Sequence, residues 1–400
     1  MTGTDIAVLL VAAAAALVLC QPRVSGAESW RAVVTPLASI IGSGFLVLGP
    51  LLDLRYGAWA PAVMAALCLT AYAFGSAIRV NIARIDRDGD RPATDERLEQ
   101  VASWILSAAY VISVAYYLNL FGSFAVDLTP VSSEMAAHVV TSAAYALILF
   151  TGWTRGFGAL EWLEKWSVAV KLAIITGLLA GLVIHLAQTV QNDALVLNPV
   201  SISGFEILTI GFGLIVTVQG FETSRYLGET YSAERRIRSM RQAQWLAAAI
   251  YMAYLLLTSY VFPAGQLEPD ETAIIDMMRI VAVSLPPLLV AAALAAQFSA
   301  AVADTAGAGG LLHELTGGRV TEPMGYAVLV AAGVAMTWTL HVFEIIAYAS
   351  RAFALYYALQ AVLAARAEWQ AGRNKRALAY GALAVLGGLV TIFGRPPESA

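Results

Sequence analysis

Four ionisable side chains stand inside otherwise apolar runs: Lys171, Glu222, Asp304 and Arg351. A charge in that setting costs ~2.5–3.5 kcal/mol or more, so it marks ion, proton or substrate chemistry by default. A desolvated lysine can titrate near neutrality, which suits Lys171 to carrying a proton. Asp304 is followed by Thr305. A carboxylate beside a hydroxyl suits a hard cation such as Na+, with Ser299 as a further ligand. Glu222 suits a cationic substrate group, a proton or a latch on an inner gate. Arg351 suits an anionic substrate or an outer gate. Two positive and two negative groups could also pair and leave the interior neutral.

Two glycine-bearing stretches interrupt apolar runs in the same way. Ile41-Gly42-Ser43-Gly44 sits mid-run between Pro36 and Pro50, and Val218-Gln219-Gly220-Phe221-Glu222 sits mid-run within residues 205–228. In a membrane, unwound backbone is tolerated only where it lines a cavity or is buried in protein. Half-helix N-termini carry about half a positive charge, and C-termini the reverse. Amides around Gly42, Ser43 and Gly44 therefore suit a carboxylate. Carbonyls around Val218, Gln219 and Gly220 suit an ammonium. Ser43 and Gln219 can add side-chain hydrogen bonds, and Tyr110 and Asn119 are candidate lining. Tyr116 and Tyr117 are expected near the outer interface, where tyrosines collect.

The elements that hold these residues follow from composition. The chain has 400 residues, 59% of them hydrophobic, with a mean hydropathy of +0.71. Only 13% are charged, about half the ~25% usual in soluble domains. This excludes an ordinary soluble enzyme and a disordered chain. A net charge of −4 argues against a nucleic-acid partner. Cys20 and Cys68 lie in apolar runs, so neither a disulfide framework nor a metal site is indicated, and the scattered histidines lack metal spacing. What remains is a polytopic, all-helical membrane protein.

Apolar runs lie near residues 6–20, 32–52, 58–78, 101–122, 135–153, 166–187, 205–228, 245–263, 283–312, 325–339, 342–365 and 377–394, giving twelve candidate crossings. Residues 325–365 would form a helix of about 60 Å, twice the hydrocarbon thickness, so a split falls near His341. With the N-terminus outside, 19 basic residues fall on the inner side and 3 on the outer, with Lys171 and Arg351 inside spans. That bias supports the count and puts both termini outside. The first run lacks a basic n-region and a small-residue cleavage site, so it reads as a retained helix rather than a signal peptide. Residues 85–99 read as a solvated inner loop. Residues 266–279 suggest a short outer helix with Ile274, Ile275 and Met278 on one face. Arginine outnumbers lysine 21 to 3 and alanine is abundant, which suggests a GC-rich bacterium and thus its cytoplasmic membrane.

The interrupted runs open two groups of five crossings. Five is odd, so the groups are inverted with respect to each other, and the site is expected where the two broken helices meet. The divisions are residues 1–28 (an extra N-terminal helix), 29–190 and 200–368 (the two repeats) and 375–400 (a C-terminal helix and tail).

The residues at the interruptions resemble a known family. IIGSGF (40–45) resembles the first-helix signature of the amino acid–polyamine–organocation superfamily, and VQGFETSRYLGE (218–229) resembles its sixth-helix signature. SVAVKLAII (167–175) is similar to its fifth helix, and Arg235-Arg236-Ile237-Arg238 stands where the family has a basic loop. The chain departs from the pattern in the loop after the sixth helix, which lacks the family's prolines, and in Phe45-Leu46 after the glycines. The resemblance implies the leucine-transporter-like five-plus-five fold and a permease for an amino acid, amine or related small organic ion. It implies that Phe221 covers the substrate from outside. It also implies that Lys171 occupies the place where sodium-coupled relatives bind Na+, giving proton coupling or exchange. Sodium coupling through Asp304, Thr305 and Ser299 is the first alternative. A membrane-embedded enzyme lacks a catalytic cluster here, and a receptor or scaffold lacks an output domain. The expected partners are a small-molecule substrate, H+ or Na+ and the lipid bilayer. No cofactor is called for, and monomer and homodimer stay open.

Overall fold

The structure is a computed structural model that describes residues 2–42, 44–87, 92–154, 161–226, 231–264 and 270–396, with the side chains of 161–166 excepted. Fifteen α-helices and no strand occur among the described residues. The first is α1 (Gly3–Leu19), followed by the short α2 (Pro22–Ser25). The first interrupted run forms two helices, α3 (Glu28–Ile40) and α4 (Gly44–Tyr56). Then come α5 (Ala60–Arg87), α6 (Ala93–Asp127), α7 (Glu134–Thr154) and α8 (Glu161–Gln191). The second interrupted run gives α9 (Glu206–Gly213) and two 3-10 turns, Ile215–Val218 and Phe221–Tyr226. The chain continues through α10 (Ala233–Thr258), α11 (Ala273–Val281), α12 (Leu285–Leu315), α13 (Glu322–Thr339), α14 (Val342–Gln370) and α15 (Asn374–Phe393).

All twelve expected crossings correspond to these elements. Seven segments are long and apolar enough to cross a membrane by length and composition: Gly44–Arg87, α6, α7, Ser167–Gln191, α12, α14 and α15. The others are α1, the two interrupted runs, α13 and α10, whose first turns carry Arg235, Arg236, Arg238 and Arg241. The split between α13 and α14 falls at Leu340, which is extended, and at His341, whose side chain and that of Glu344 form a capping box. Such reciprocal capping starts a new helix where the old one has lost its register. The short outer helix is α11, with Ile274, Ile275 and Met278 all buried.

Two polar stretches differ from expectation. Residues 85–99 are mostly helical: α5 runs on to Arg87 and α6 starts at Ala93, with residues 88–91 outside the described set. Asp95 in the first turn of α6 is buried and holds Arg84 at 2.9 Å and Arg366 at 2.6 Å. The basic stretch 235–238 belongs to α10, whose N-cap Ser232 accepts the Arg235 amide. Acidic residues favour a helix N-terminus, Asp95 and Glu96 in α6 and Glu234 in α10, and the Ser232 cap satisfies a free amide of α10, so both helices extend beyond their apolar parts.

The interrupted runs meet at the centre of the packing. A Cβ on Gly44 would stand 2.8 Å from Thr217 Cβ and 2.9 Å from its Cα. Gly220 has φ +111°, and a Cβ there would stand 2.6 Å from the Ser39 carbonyl carbon and 2.7 Å from the Ile40 nitrogen. Each run's glycine is thus the place where the other run's backbone touches. Around this pair, α10 packs on α3 and α5, α12 on α6 and α8, α14 on α6 and α15, and α1 on α8.

Gly44→Ala is therefore expected to lower stability by ~1–3 kcal/mol through overpacking against fixed backbone. Gly310→Ala on α12, where nothing lies within 4 Å, should instead raise it by ~0.5–1 kcal/mol. Thermal midpoints of the two detergent-purified variants check the contrast.

Candidate functional site between the interrupted helices

Ending helices in the interior leaves carbonyls and amides to satisfy. One hydroxyl serves both interruptions. Tyr251 Oη of α10 lies 3.0 Å from the Ile40 carbonyl and 2.7 Å from the Thr217 carbonyl, and can donate its single proton to either. Ser350 of α14 does similar work for α9. Its hydroxyl donates to the Gly213 carbonyl at 2.6 Å and accepts the Val216 amide at 3.0 Å. Neither Tyr251 nor Ser350 carries a sequence signal, because each is one polar atom in an apolar run.

The second interruption carries the polar side chains. Glu222 is fully buried. Its Oε2 accepts the Gly220 amide at 3.0 Å and the Tyr357 hydroxyl at 2.8 Å. Gln219 donates through Nε2 to the Tyr117 hydroxyl at 2.9 Å. The remaining oxygens, Glu222 Oε1 and Gln219 Oε1, are buried and have no hydrogen-bond partner among the described residues. Phe221 is buried and stacks on Tyr357 at 5.0 Å between ring centroids, and Tyr357 stacks in turn on Phe74 at 5.2 Å. Tyr110 is buried, edge-on to Phe353, with Gly307 of α12 giving its ring room.

Tyr116 and Tyr117 are buried rather than interfacial, and Tyr117 joins the site. The reason is the length of α6. It runs on to Asp127, past the apolar run that ends near residue 122, so Tyr117 lies ten residues, about 15 Å, short of the helix end. Asn119 turns away, donating to the Thr337 hydroxyl of α13 at 2.9 Å.

At the first interruption, Lys171 of α8 is 2% exposed, and its Nζ donates to the Ala38 carbonyl of α3 at 2.7 Å. It lines a cavity of about 20 Å3 together with Ile41, Gly42 and residues of α12. Asp304 accepts a hydrogen bond from the Ser113 hydroxyl of α6. The Thr305 hydroxyl is turned to the Ala301 carbonyl of its own helix, and Ser299 is half-buried. Ser43 lies outside the described residues. Arg351 is not brought to this cluster: its Nε donates to the Thr391 carbonyl of α15 at 2.7 Å.

Two further features of the site carry no motif in the sequence. Asp53 of α4 is a fully buried carboxyl. As an Asp in an apolar run, it could have been counted with the other four charges. Arg225 pairs with Glu99 and donates to Gln360 Oε1 at 2.6 Å, and Asn81 donates to the same oxygen at 2.7 Å. This network ties the end of the second interruption to α5, α6 and α14. At the opposite end of α6, a cavity of about 310 Å3 is lined by Asp127, Glu134, His138, Asp270, Glu271 and His341, among others. Burial and the neighbouring Asp270 carboxylate push the Glu271 carboxyl up to about 7.

Comparison with known proteins places this geometry. A family model described as APC superfamily transporter matches residues 22–394. An uncharacterized protein of Aquifex aeolicus (strain VF5) is 38% identical over 391 residues, covering 96% of this chain and 95% of that protein. Among solved structures, the chain is similar to Mhp1, described as a nucleobase-cation-symport-1 family transporter in a closed conformation with bromovinylhydantoin bound. The TM-score is 0.58 at 14% identity, over 86% of this chain and 78% of that one. At that identity the likeness speaks for the fold alone.

Two outcomes follow from the geometry. Tyr251→Phe removes the donor shared by two buried carbonyls, and should lower the detergent thermal midpoint by the equivalent of ~1–3 kcal/mol. For Glu271, the ordinary carboxyl value is 4.5 and the folded value about 7. Between these, the folded chain holds more protons than the unfolded one, so stability falls as pH rises through that window. Glu271→Gln should flatten this part of a midpoint-against-pH profile.

Proposed function

Because the chain belongs to the APC superfamily of transporters and has the leucine-transporter-like fold, we propose that it moves an amino acid, an amine or a related small organic ion by alternating access. The observation that carries the substrate class is the pair of buried acceptors without partners, Glu222 Oε1 and Gln219 Oε1, beside the second interruption. Buried acceptors left unpaired are costly, and a substrate bearing N–H donors relieves that cost. The carbonyls around Val218 and Gly220 would add to an ammonium site, and the amides around Gly42 and Gly44 would take a carboxylate. Glu222 and Gln219 would then grip the amino end, with Phe221 and Tyr110 as walls.

On this reading the transport is coupled to protons or runs as exchange. The support is the hydrogen bond from Lys171 to the Ala38 carbonyl. A charged Lys171 fixes α3 against α8, and loss of its proton weakens that tie, so protonation and the position of the first interruption are linked. The inner side is the end bearing Arg79, Arg84 and Arg241, in accord with the positive-inside bias. The Arg225–Glu99–Gln360 network then acts on that side, as a closed inner gate.

A thermal-shift screen of the detergent-purified protein tests this reading, with amino acids, amines and small organic acids in sodium and in choline buffers. A ligand at about 100 times its dissociation constant stabilises by ~2.7 kcal/mol. The expected hits bear an amino group and persist in choline. In proteoliposomes, uptake of such a hit should respond to a pH gradient in the wild type and lose that response in Lys171→Gln. Hits that need sodium would move the coupling to Asp304 and Thr305. Hits confined to acids lacking an amine would overturn the substrate class.

A further inference from the structure

At the arginine-rich end of the molecule, six guanidinium groups line one cavity of about 690 Å3. Arg79, Arg84 and Arg87 come from α5, Arg241 from α10, and Arg373 and Arg376 from the start of α15. Along α5 the three form a ladder about 12 Å long, at 1.5 Å per residue. One carboxylate, Glu368 at the end of α14, stands on the wall.

Among the described residues, the internal pairing leaves an excess of positive charge. Glu368 holds Arg373, with Nη2 to Oε1 at 3.0 Å, and lies 4.0 Å from Arg376. Arg84 is held by Asp95 at 2.9 Å and donates to Gln370 at 2.7 Å. Arg79, Arg87 and Arg241 have no carboxylate within ion-pair distance among the described residues. Arg79 is only 9% exposed, yet its partners are neutral: Gln244 Oε1 and the face of Tyr72, 4.7 Å from the ring centroid. Arg87 donates to the Ala83 carbonyl at 3.1 Å.

Arg79 is a sheltered guanidinium without a counter-charge, which is unfavourable, and the exposed Arg87 and Arg241 face the same volume and add to its positive potential. The positive-inside bias accounts for arginines on this side. It does not account for their convergence, from three helices, on a single cavity of ligand size. The guanidinium fork matches phosphate oxygens two at a time.

We propose that this cavity binds a phosphate-bearing anion, held chiefly by Arg79, Arg87 and Arg241. Two sources share that chemistry: the headgroup of an anionic phospholipid, and a soluble phosphate. The lipid source fits the setting, since α15 turns exposed Leu378, Val385, Leu389 and Ile392 outward and basic pockets between membrane helices take such headgroups.

The test uses the full chain in nanodiscs of pure phosphatidylcholine, of equimolar phosphatidylcholine and phosphatidylglycerol, and of pure phosphatidylcholine with inorganic pyrophosphate. The thermal midpoint is read for the wild type, for Arg87→Gln/Arg241→Gln, and for Arg235→Gln/Arg238→Gln. The last pair removes the same charge from the same end, outside the cavity. A rise with phosphatidylglycerol names the lipid source, and a dose-dependent rise with pyrophosphate names the soluble one. In either case the cavity pair should cut the rise, or weaken the apparent pyrophosphate affinity about tenfold or more, while the control pair leaves it intact. Arg241→Gln alone offers the same comparison with one charge removed. No rise from either source in the wild type, or equal loss in both pairs, would overturn the proposal.

Discussion

The architecture depends on one constraint: two helices end and restart in an apolar interior, and their exposed backbone must be satisfied there. Water is absent at that depth, so every carbonyl and amide freed by an interruption needs a partner within the protein. The chain meets this by laying the interruptions against each other. Gly44 admits the backbone of Thr217, and Gly220 admits that of Ser39 and Ile40. With the two runs in contact, a single hydroxyl, Tyr251, reaches a carbonyl of each. Separating the runs would leave that hydroxyl serving only one of them.

The same contact determines what else can stand there. Glu222 follows Gly220 closely enough for its carboxylate to accept the glycine amide. Its other neighbour, Tyr357, comes from α14 and stacks on Phe221. Backbone, carboxylate and aromatic wall are therefore parts of one unit that spans the second interruption and α14. Lys171 plays the corresponding part at the first interruption, where it joins α8 to α3. On the proposed reading, these two ties are the parts that substrate and proton act upon.

Much of this was legible in the residues, and the remainder was hidden for physical reasons. Glycines flanked by polar residues in apolar runs marked both interruptions, and an over-long apolar stretch marked the split at His341. Apolar patterning is blind to polar helix ends. The start of α6 at Ala93 and the arginine-rich start of α10 look like loops in sequence, although first-turn acids favour helix at both and the Ser232 cap adds to it at α10. That blindness carries over to depth: α6 runs on to polar Asp127 beyond its apolar run, which brings Tyr117 beside Gln219 instead of to an interface. Partners such as Ser113 for Asp304 arise from packing between α6 and α12 and have no local signature. Lys171 was legible as a mid-span charge. Its bond to a backbone carbonyl was not, since any residue type offers one.

Each of the four charges in the apolar runs has a neutral partner on another element, where a closed ion pair is the other way to hold a buried charge. Lys171 takes the Ala38 carbonyl of α3, Glu222 the Tyr357 hydroxyl of α14, Asp304 the Ser113 hydroxyl of α6, and Arg351 the Thr391 carbonyl of α15. The difference is mechanical. A closed ion pair is neutral as a unit, and neutralising one partner strands the other at high cost. A charge held by dipoles strands nothing when its proton moves, because a hydroxyl or a carbonyl has no net charge to leave behind. The tie between two helices weakens and the rest of the site stays satisfied. On the proposed reading, neutral partners therefore suit helices that part and rejoin. For Arg351 the same arrangement seats α15 on α14.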